Sequence, residues 1–288
     1  MSVLFFRILS VTYAALLLLA AACGRAESLQ TDRRTSGSPQ RIVSLGPSGT
    51  EILASLGALD RLVGRSRWDT WPETVRQVPD VGDAIRPSLE RIIALRPDLV
   101  VLYAASDNAA SIDGLQRTGI NVVALRIDTI DDYLRAVDSL GVLVGARSRA
   151  DSLTATIRRE LDAVRQRARH TPALRVFIPV WDQPLMTIGG GSYLSELVRI
   201  AGGENVYGES PAPSLTVSFE DVVRRDPDVV LASPVSALRW RAEPGWKGLR
   251  AVREGRVLGF DTTLVSQPSS RLGAAAASLA DLLAKVRR

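Results

Sequence analysis

The chain is short of the side chains on which most protein chemistry depends. Among its 288 residues there is one cysteine, Cys23, and one histidine, His170. A single cysteine cannot close an intrachain disulfide, and a single histidine cannot build the multi-histidine zinc sites usual in catalysis, so no metal site is expected. A Cys-His nucleophile pair would need Cys23, which directly follows an N-terminal leader and is read below as a lipidation site. A Ser-His-Asp arrangement would need His170, in Arg169-His170-Thr171-Pro172 at the end of a polar helical stretch. There a solvated imidazole favoured by the helix C-terminal dipole is the simpler use. Gly46-Pro47-Ser48-Gly49 is not a nucleophile elbow, and Gly189-Gly190-Gly191-Ser192 lacks the lysine of a phosphate loop and the third spaced glycine of a dinucleotide fingerprint. With no nucleophile, base and metal set to assemble, an enzyme is disfavoured and no cofactor is expected. Lysine is scarce as well, with only Lys247 and Lys285 among 36 cationic residues. The cations are scattered among 31 acids to leave a net +5, a mixed solvated surface rather than a nucleic-acid footprint.

What is present is enough apolar material for a large core: 46% of residues are hydrophobic and 23% charged. Residues 1–22, MSVLFFRILSVTYAALLLLAAA, carry one cation, Arg7, then an apolar stretch ending in small residues. The uninterrupted apolar run is shorter than the ~20 residues of a spanning helix, so it is read as a signal peptide. Leu19-Ala20-Ala21-Ala22-Cys23 resembles a bacterial lipoprotein processing site, with Ala20 where leucine is usual. That resemblance implies cleavage before Cys23, lipidation of its thiol and an exported chain held at a membrane. Residues 23–40 then read as the lipidated cysteine and a polar tether.

From Arg41 short apolar runs alternate with helical patterns: RIVSLG then TEILASLG, DLVVLYA then SIDGLQRTG, then NVVALR. This predicts βα units and a mostly parallel sheet. Residues 147–170 read as one long helix whose apolar positions Leu153, Ile157, Leu161 and Val164 form a single stripe. Thr171-Pro172 ends it, and alternation restarts at RVFIPVW. The two halves also match each other. Ser88 to Val101 aligns without a gap on Ser218 to Leu231, and Thr50-Glu51-Ile52-Leu53 through Gly57 aligns on Ser195-Glu196-Leu197-Val198 through Gly202. Each copy of the longer match supplies a serine cap, a glutamate in the first helical turn and a Pro-Asp break before a buried strand. The expected fold is therefore α/β: an N-terminal lobe (41–146), a backbone helix (147–171) and a C-terminal lobe of like topology (172–288), with a ligand cleft between the lobes.

RIVSLGPSGTEILASLGALDRLVG, WDTWPETV, VGDAIRPSLERIIALRPDLVV, AGGENVYG and the W-x-x-L-x-AV-x-x-GRV segment together resemble the substrate-binding proteins of ABC importers for vitamin B12, ferric siderophores and haem. The resemblance runs from Arg41 to the C-terminus. It implies a metal-chelate ligand held between two lobes on a rigid helix, and an ABC permease with its ATPase as partners. The chain is read as a monomer. By motif match the resemblance implies that Glu90 and Glu220 pair with permease arginines, although a glutamate there also stabilises its own helix.

Clefts in such sheets open at the C-terminal ends of strands. The ligand candidates are accordingly Trp68, Trp71, Ile85, Arg86 and Tyr103 in the first lobe, beside Arg65 and Arg67, and Trp181, Trp240, Gln267 and Arg271 in the second. Aromatic faces suit a corrin or porphyrin, and clustered arginines suit an anionic ferric chelate or propionates. Trp71 and Tyr103 fall where corrinoid-binding members carry aromatics, whereas Ala84, Ser214 and Gln267 depart from their pattern. A corrinoid is favoured, with ferric siderophore or haem as the alternative and a permease-free sensor as a further one. Core packing stays open for Trp68 and Trp240, and Trp246 is read as core.

Overall fold

A computed structural model of the chain describes residues 37–105 and 108–287. The signal-peptide and lipidation readings at 1–22 and Cys23 lie outside the described residues. The first apolar runs become β1 (Ile42–Ser44), β2 (Leu62–Arg65), β3 (Leu99–Tyr103) and β4 (Asn121–Leu125), one parallel sheet in the order β2-β1-β3-β4. All of β1 and the first four residues of β3 are buried, as expected of continuous apolar strands covered by helices on both faces. Those helices are α1 (Pro47–Ser55), α2 (Leu89–Ala94), α3 (Ala109–Arg117) and α4 (Ile130–Leu143). Thr129 and Asp132 close a capping box at the start of α4.

The backbone helix is α5 (Arg147–Ala168), 22 residues or about 33 Å. Its buried face is Ala150, Thr154, Ile157, Leu161 and Val164, with Leu153 half-buried at the edge. Ile157, Leu161 and Val164 each contribute about 1.5–3 kcal/mol by burial. After α5 come β5 (Leu174–Phe177), β6 (Pro179–Asp182), β7 (Leu185–Ile188), helix α6 (Tyr193–Ile200), β8 (Gly203–Asn205), β9 (Ser214–Thr216), α7 (Phe219–Arg225), β10 (Val229–Ala232), α8 (Pro234–Ala242), α9 (Arg250–Arg253), β11 (Val257–Gly259), α10 (Thr262–Val265) and α11 (Leu272–Val286). The second parallel sheet runs β8-β5-β10-β11, the order of the first. A small antiparallel sheet, β6-β7-β9, is an addition of the second lobe.

The repeat extends to hydrogen bonds that the residue pattern did not announce. Asp98 accepts the backbone N–H groups of Gln40 and Arg41 at 2.7 and 3.0 Å, and its counterpart Asp228 accepts that of Arg175 at 2.9 Å. The Arg41 guanidinium donates to the carbonyls of Leu95 and Arg96, and that of Arg175 donates to the carbonyl of Arg225. Between these contacts sit Arg96 and Asp226, the two non-glycine residues with left-handed backbone among the described residues (φ 46° and 42°). In each lobe, then, the aspartate of Pro-Asp and the arginine opening the first strand tie the end of the repeat helix to the sheet. The serine caps differ: the Ser218 hydroxyl accepts the Asp221 N–H at 3.1 Å, but Ser88 makes no side-chain cap bond.

One buried cluster joins the lobes. It runs from Ile42, Leu99 and Val101 through Ile157, Leu161 and Val164 of α5 to Val176, Val229 and Leu231. Each lobe adds a smaller cluster on the far face of its sheet, around Val100 and Ile92 in the first and around Phe177 and Trp240 in the second.

Candidate functional site

The strand ends and the loops after them enclose two adjoining cavities. The larger, about 1110 Å³, is walled by the β6–β7 hairpin with Trp181, by Tyr193 opening α6, by Arg239 and Trp246, and by Phe260 after β11. The smaller, about 230 Å³, lies between the lobes, bounded by the Gly46–Gly49 turn, Tyr103 and Ile127 on one side and Gln267 and Pro268 on the other. Ser266 lines both, so the two form one cleft across the lobe boundary. Trp181 is 63% exposed, and its indole donates to the Gln183 carbonyl at 2.9 Å. The Ser192 hydroxyl accepts the Leu194 N–H, which caps α6 and sets Tyr193 at the cleft.

On the first lobe Trp68, Ile85 and Arg86 line neither cavity; they form an exposed rim arranged around Asp83. Burial opposes ionisation of Asp83, but the backbone N–H groups of Arg86 and Ile85, the Arg67 guanidinium and the Trp68 side chain outweigh it and hold its pKa below the usual value. Trp71 is part-exposed, with the Arg271 guanidinium 5.4 Å from its ring centroid, a cation–π contact. Arg271 is itself held by the buried Glu51 at 2.9 Å. Tyr103 donates its hydroxyl to Asp128 at 2.8 Å, and Arg126 occupies the other carboxylate oxygen at 2.7 Å. Burial first, and then this hydrogen bond, pushes the Tyr103 phenol up to about 12.

Trp240 is not a ligand contact. It is 0% exposed, packed between Phe177 and Trp246 in the core of the second lobe. Trp246, read as core, packs against that cluster, stacks over Trp240 at 3.3 Å and also lines the cavity beside Trp181. The reading from residues also missed Tyr193, Phe260, Asp182 and Arg239. Phe260 directly follows β11 and so obeys the strand-end rule, whereas Asp182 and Arg239, which form an ion pair at the cavity wall, are recognisable only once the hairpin is placed against α8.

The loop carrying Trp68 and Trp71 is anchored from below by Asp69, 1% exposed, whose Oδ2 accepts the Thr50 hydroxyl at 2.7 Å and the Ser66 N–H at 3.0 Å. Burial pushes its carboxyl up to about 6 from 3.8. The folded chain therefore keeps a proton that the unfolded chain has released, and stability falls as pH rises through about 4 to 6, by on the order of 2 kcal/mol. Asp69→Asn keeps a carbonyl acceptor and cannot titrate. Its melting temperature should match wild type near pH 4.5 and fall less than wild type towards pH 6.5; parallel curves for the two proteins would refute the assignment.

Glu90 and Glu220 are both exposed, in the first turns of α2 and α7, and neither forms an ion pair among the described residues. Three residues on, Ile93 and Val223 are exposed as well, at 44% and 36%.

A periodic pattern of this extent has known counterparts. The profile of the periplasmic binding protein family matches residues 42–263. The chain belongs to that family. A vitamin B12-binding protein from Vibrio parahaemolyticus is 29% identical over 233 residues, covering 81% of this chain and 85% of its own. An uncharacterised ABC transporter substrate-binding lipoprotein, YvrC, from Bacillus subtilis is 29% identical over 242 residues, covering 81% and 76%. Among solved structures, the periplasmic vitamin B12 binding protein BtuF of Vibrio cholerae superposes with a TM-score of 0.77 at 24% identity, over 87% of this chain and 98% of that one. This periplasmic binding protein thus shares its two-lobed α/β fold with BtuF, with the cleft formed where the first strands of both sheets end.

Proposed function

We propose that the chain is the substrate-binding lipoprotein of an ABC importer, capturing a corrinoid between its lobes and delivering it to the permease. The observation that carries the choice of ligand is that the arginines nearest the aromatic faces are already engaged. Arg65 donates to the carbonyls of Val78 and Ser66, Arg67 pairs with Asp83 at 3.2 Å, Arg239 pairs with Asp182, and Arg271 pairs with Glu51. What the cleft offers is Trp181, Trp246, Tyr103 and neutral groups such as Gln267, with Trp71 exposed outside both cavities, which suit a broad ring edged with amides better than clustered carboxylates. A ferric porphyrin held by tyrosinate needs an ionised phenol, and Asp128 opposes ionisation of Tyr103. The vitamin B12-binding relative supports the same ligand. Arg86, exposed at the rim and without an ion pair among the described residues, favours the second reading, an anionic ferric siderophore or haem.

Lipidation of Cys23 is supported by the small-residue processing pattern before it and by the relative named as a lipoprotein. Glu90 and Glu220 are assigned to permease docking, since the two stand unpaired at equivalent places on the two lobes. The chain from Gly24 onward, titrated with cyanocobalamin, haem and a ferric siderophore, tests the ligand: cyanocobalamin should quench the tryptophan fluorescence saturably. Trp181→Ala should weaken it about tenfold or more, on the order of the loss of one stacked aromatic. Quenching by haem or the siderophore only would replace the first reading by the second.

A further inference from the structure

The shorter of the two repeats aligns Glu51 with Glu196, and neither residue serves ligand capture or docking. Both reach across the lobe boundary. Glu51, on α1 of the first lobe and 1% exposed, accepts a hydrogen bond at 2.9 Å from Arg271, the residue that opens α11 in the second. Glu196, on α6 of the second lobe, accepts at 2.7 Å the backbone N–H of Ile130, the first residue of α4 in the first lobe. The helices addressed are themselves equivalent, since α4 follows the last strand of one sheet and α11 the last strand of the other. Each glutamate therefore meets the N-terminal end of the partner lobe's last helix, where a carboxylate is favoured by the helix dipole.

We propose that Glu51 and Glu196 form a reciprocal clasp that fixes the angle between the lobes and so keeps the cleft preorganised. A buried carboxylate is an expensive way to fill a core, and an apolar residue at 51 would pack without that cost. The pairing explains its presence by what it excludes: any opening of the lobes separates Glu51 from Arg271 and costs the buried carboxylate its charged partner. Arg271 also backs the Trp71 ring, which makes it a positioning residue for that aromatic.

The test is the distribution of distances between spin labels at Gln116→Cys and Val235→Cys, one exposed site in each lobe, in the full chain purified in detergent with Cys23→Ser. Pulsed electron resonance without ligand should give one narrow distribution for the parent protein and a clearly broadened one for Glu51→Gln with Glu196→Gln. Should Glu51→Gln not fold, Glu51→Met with Arg271→Met removes both charges together, and with Glu196→Gln should give the same broadening. A lowered melting temperature with an unchanged distribution would overturn the clasp and leave the glutamates a purely structural role. Cyanocobalamin affinity, which rests on the proposed ligand, should fall about tenfold in the broadened variants. If the parent binds no cyanocobalamin, the ligand reading fails while the distance measurement still decides the clasp.

Discussion

Cells whose only copy of this protein carries Glu90→Ala together with Glu220→Ala should lose cobalamin uptake almost completely, while the purified double variant binds cyanocobalamin within about twofold of wild type. Both glutamates sit in exposed first turns and line neither cavity, and both adjoin an exposed apolar residue one helical turn on. Removing each would cost its helix about 0.3–1 kcal/mol, too little to unfold a chain with a continuous core. A stability effect and a docking effect are therefore separable: the first lowers the melting temperature slightly, the second abolishes transport at unchanged protein levels. Normal uptake by the double variant would remove the docking assignment. Glu90→Asp with Glu220→Asp keeps both charges and should retain part of the uptake, which a merely helix-stabilising role would not distinguish from wild type.

Gly190→Ala should shift the urea midpoint further than any surface change in the molecule, corresponding to about 3 kcal/mol or more. A Cβ at 190 would stand 2.1 Å from the Gly208 carbonyl oxygen, and those at 189 and 191 would meet the carbonyls of Ala212 and Pro211 at 2.2 and 2.1 Å. The obstacle in each case is backbone, held by the Gly190 N–H to Ser210 carbonyl bond of 2.7 Å, so relief requires moving the 208–213 segment. Gly245→Ala is the control: nothing lies within 4 Å of its added Cβ, and it should be neutral within about 0.5 kcal/mol. A midpoint for Gly190→Ala equal to that of the control would mean the segment yields freely. The triple glycine is thus a device for close backbone approach rather than phosphate binding, as the absence of a following lysine indicated.

The architecture was legible because its causes are local. Unbroken runs such as LVVLY can only be covered strands, Thr171-Pro172 can only end a helix, and a fourteen-residue gapless match can hardly arise without two like lobes. The cleft was legible where a side chain stands at or beyond the C-terminal end of a parallel strand, as with Tyr103 at the end of β3 and Trp181 four residues past β5. It failed at Trp240, and it did not show that Trp246, packed on the core, also lines the cavity. Helix α8 carries apolar residues on opposite sides, Val235 and Leu238 exposed but Ala237 and Trp240 buried, so periodicity gave no inward face and the two indoles could not be told apart. Asp83, Asp128 and Asp182 were overlooked for a related reason: a loop aspartate acquires its role from what it meets, and Arg67, Tyr103 and Arg239 are brought to them by packing rather than by spacing. Glu51 and Glu196 were visible as a repeated letter, yet the fact that both point across the boundary is a property of the assembled lobes.

The proposed docking pair carries a further consequence. Glu90 and Glu220 ride on two lobes welded through one core, so their separation is fixed, and docking through both, as proposed, would be bivalent. The first contact to form would raise the effective concentration of the second into the range of short rigid linkers. Each contact can then remain weak enough to release, while the two together hold, and a partner built from two copies of one subunit is the natural match for such spacing. Loss of one glutamate should therefore cost more than half of the binding, because what disappears with it is the advantage of being held twice.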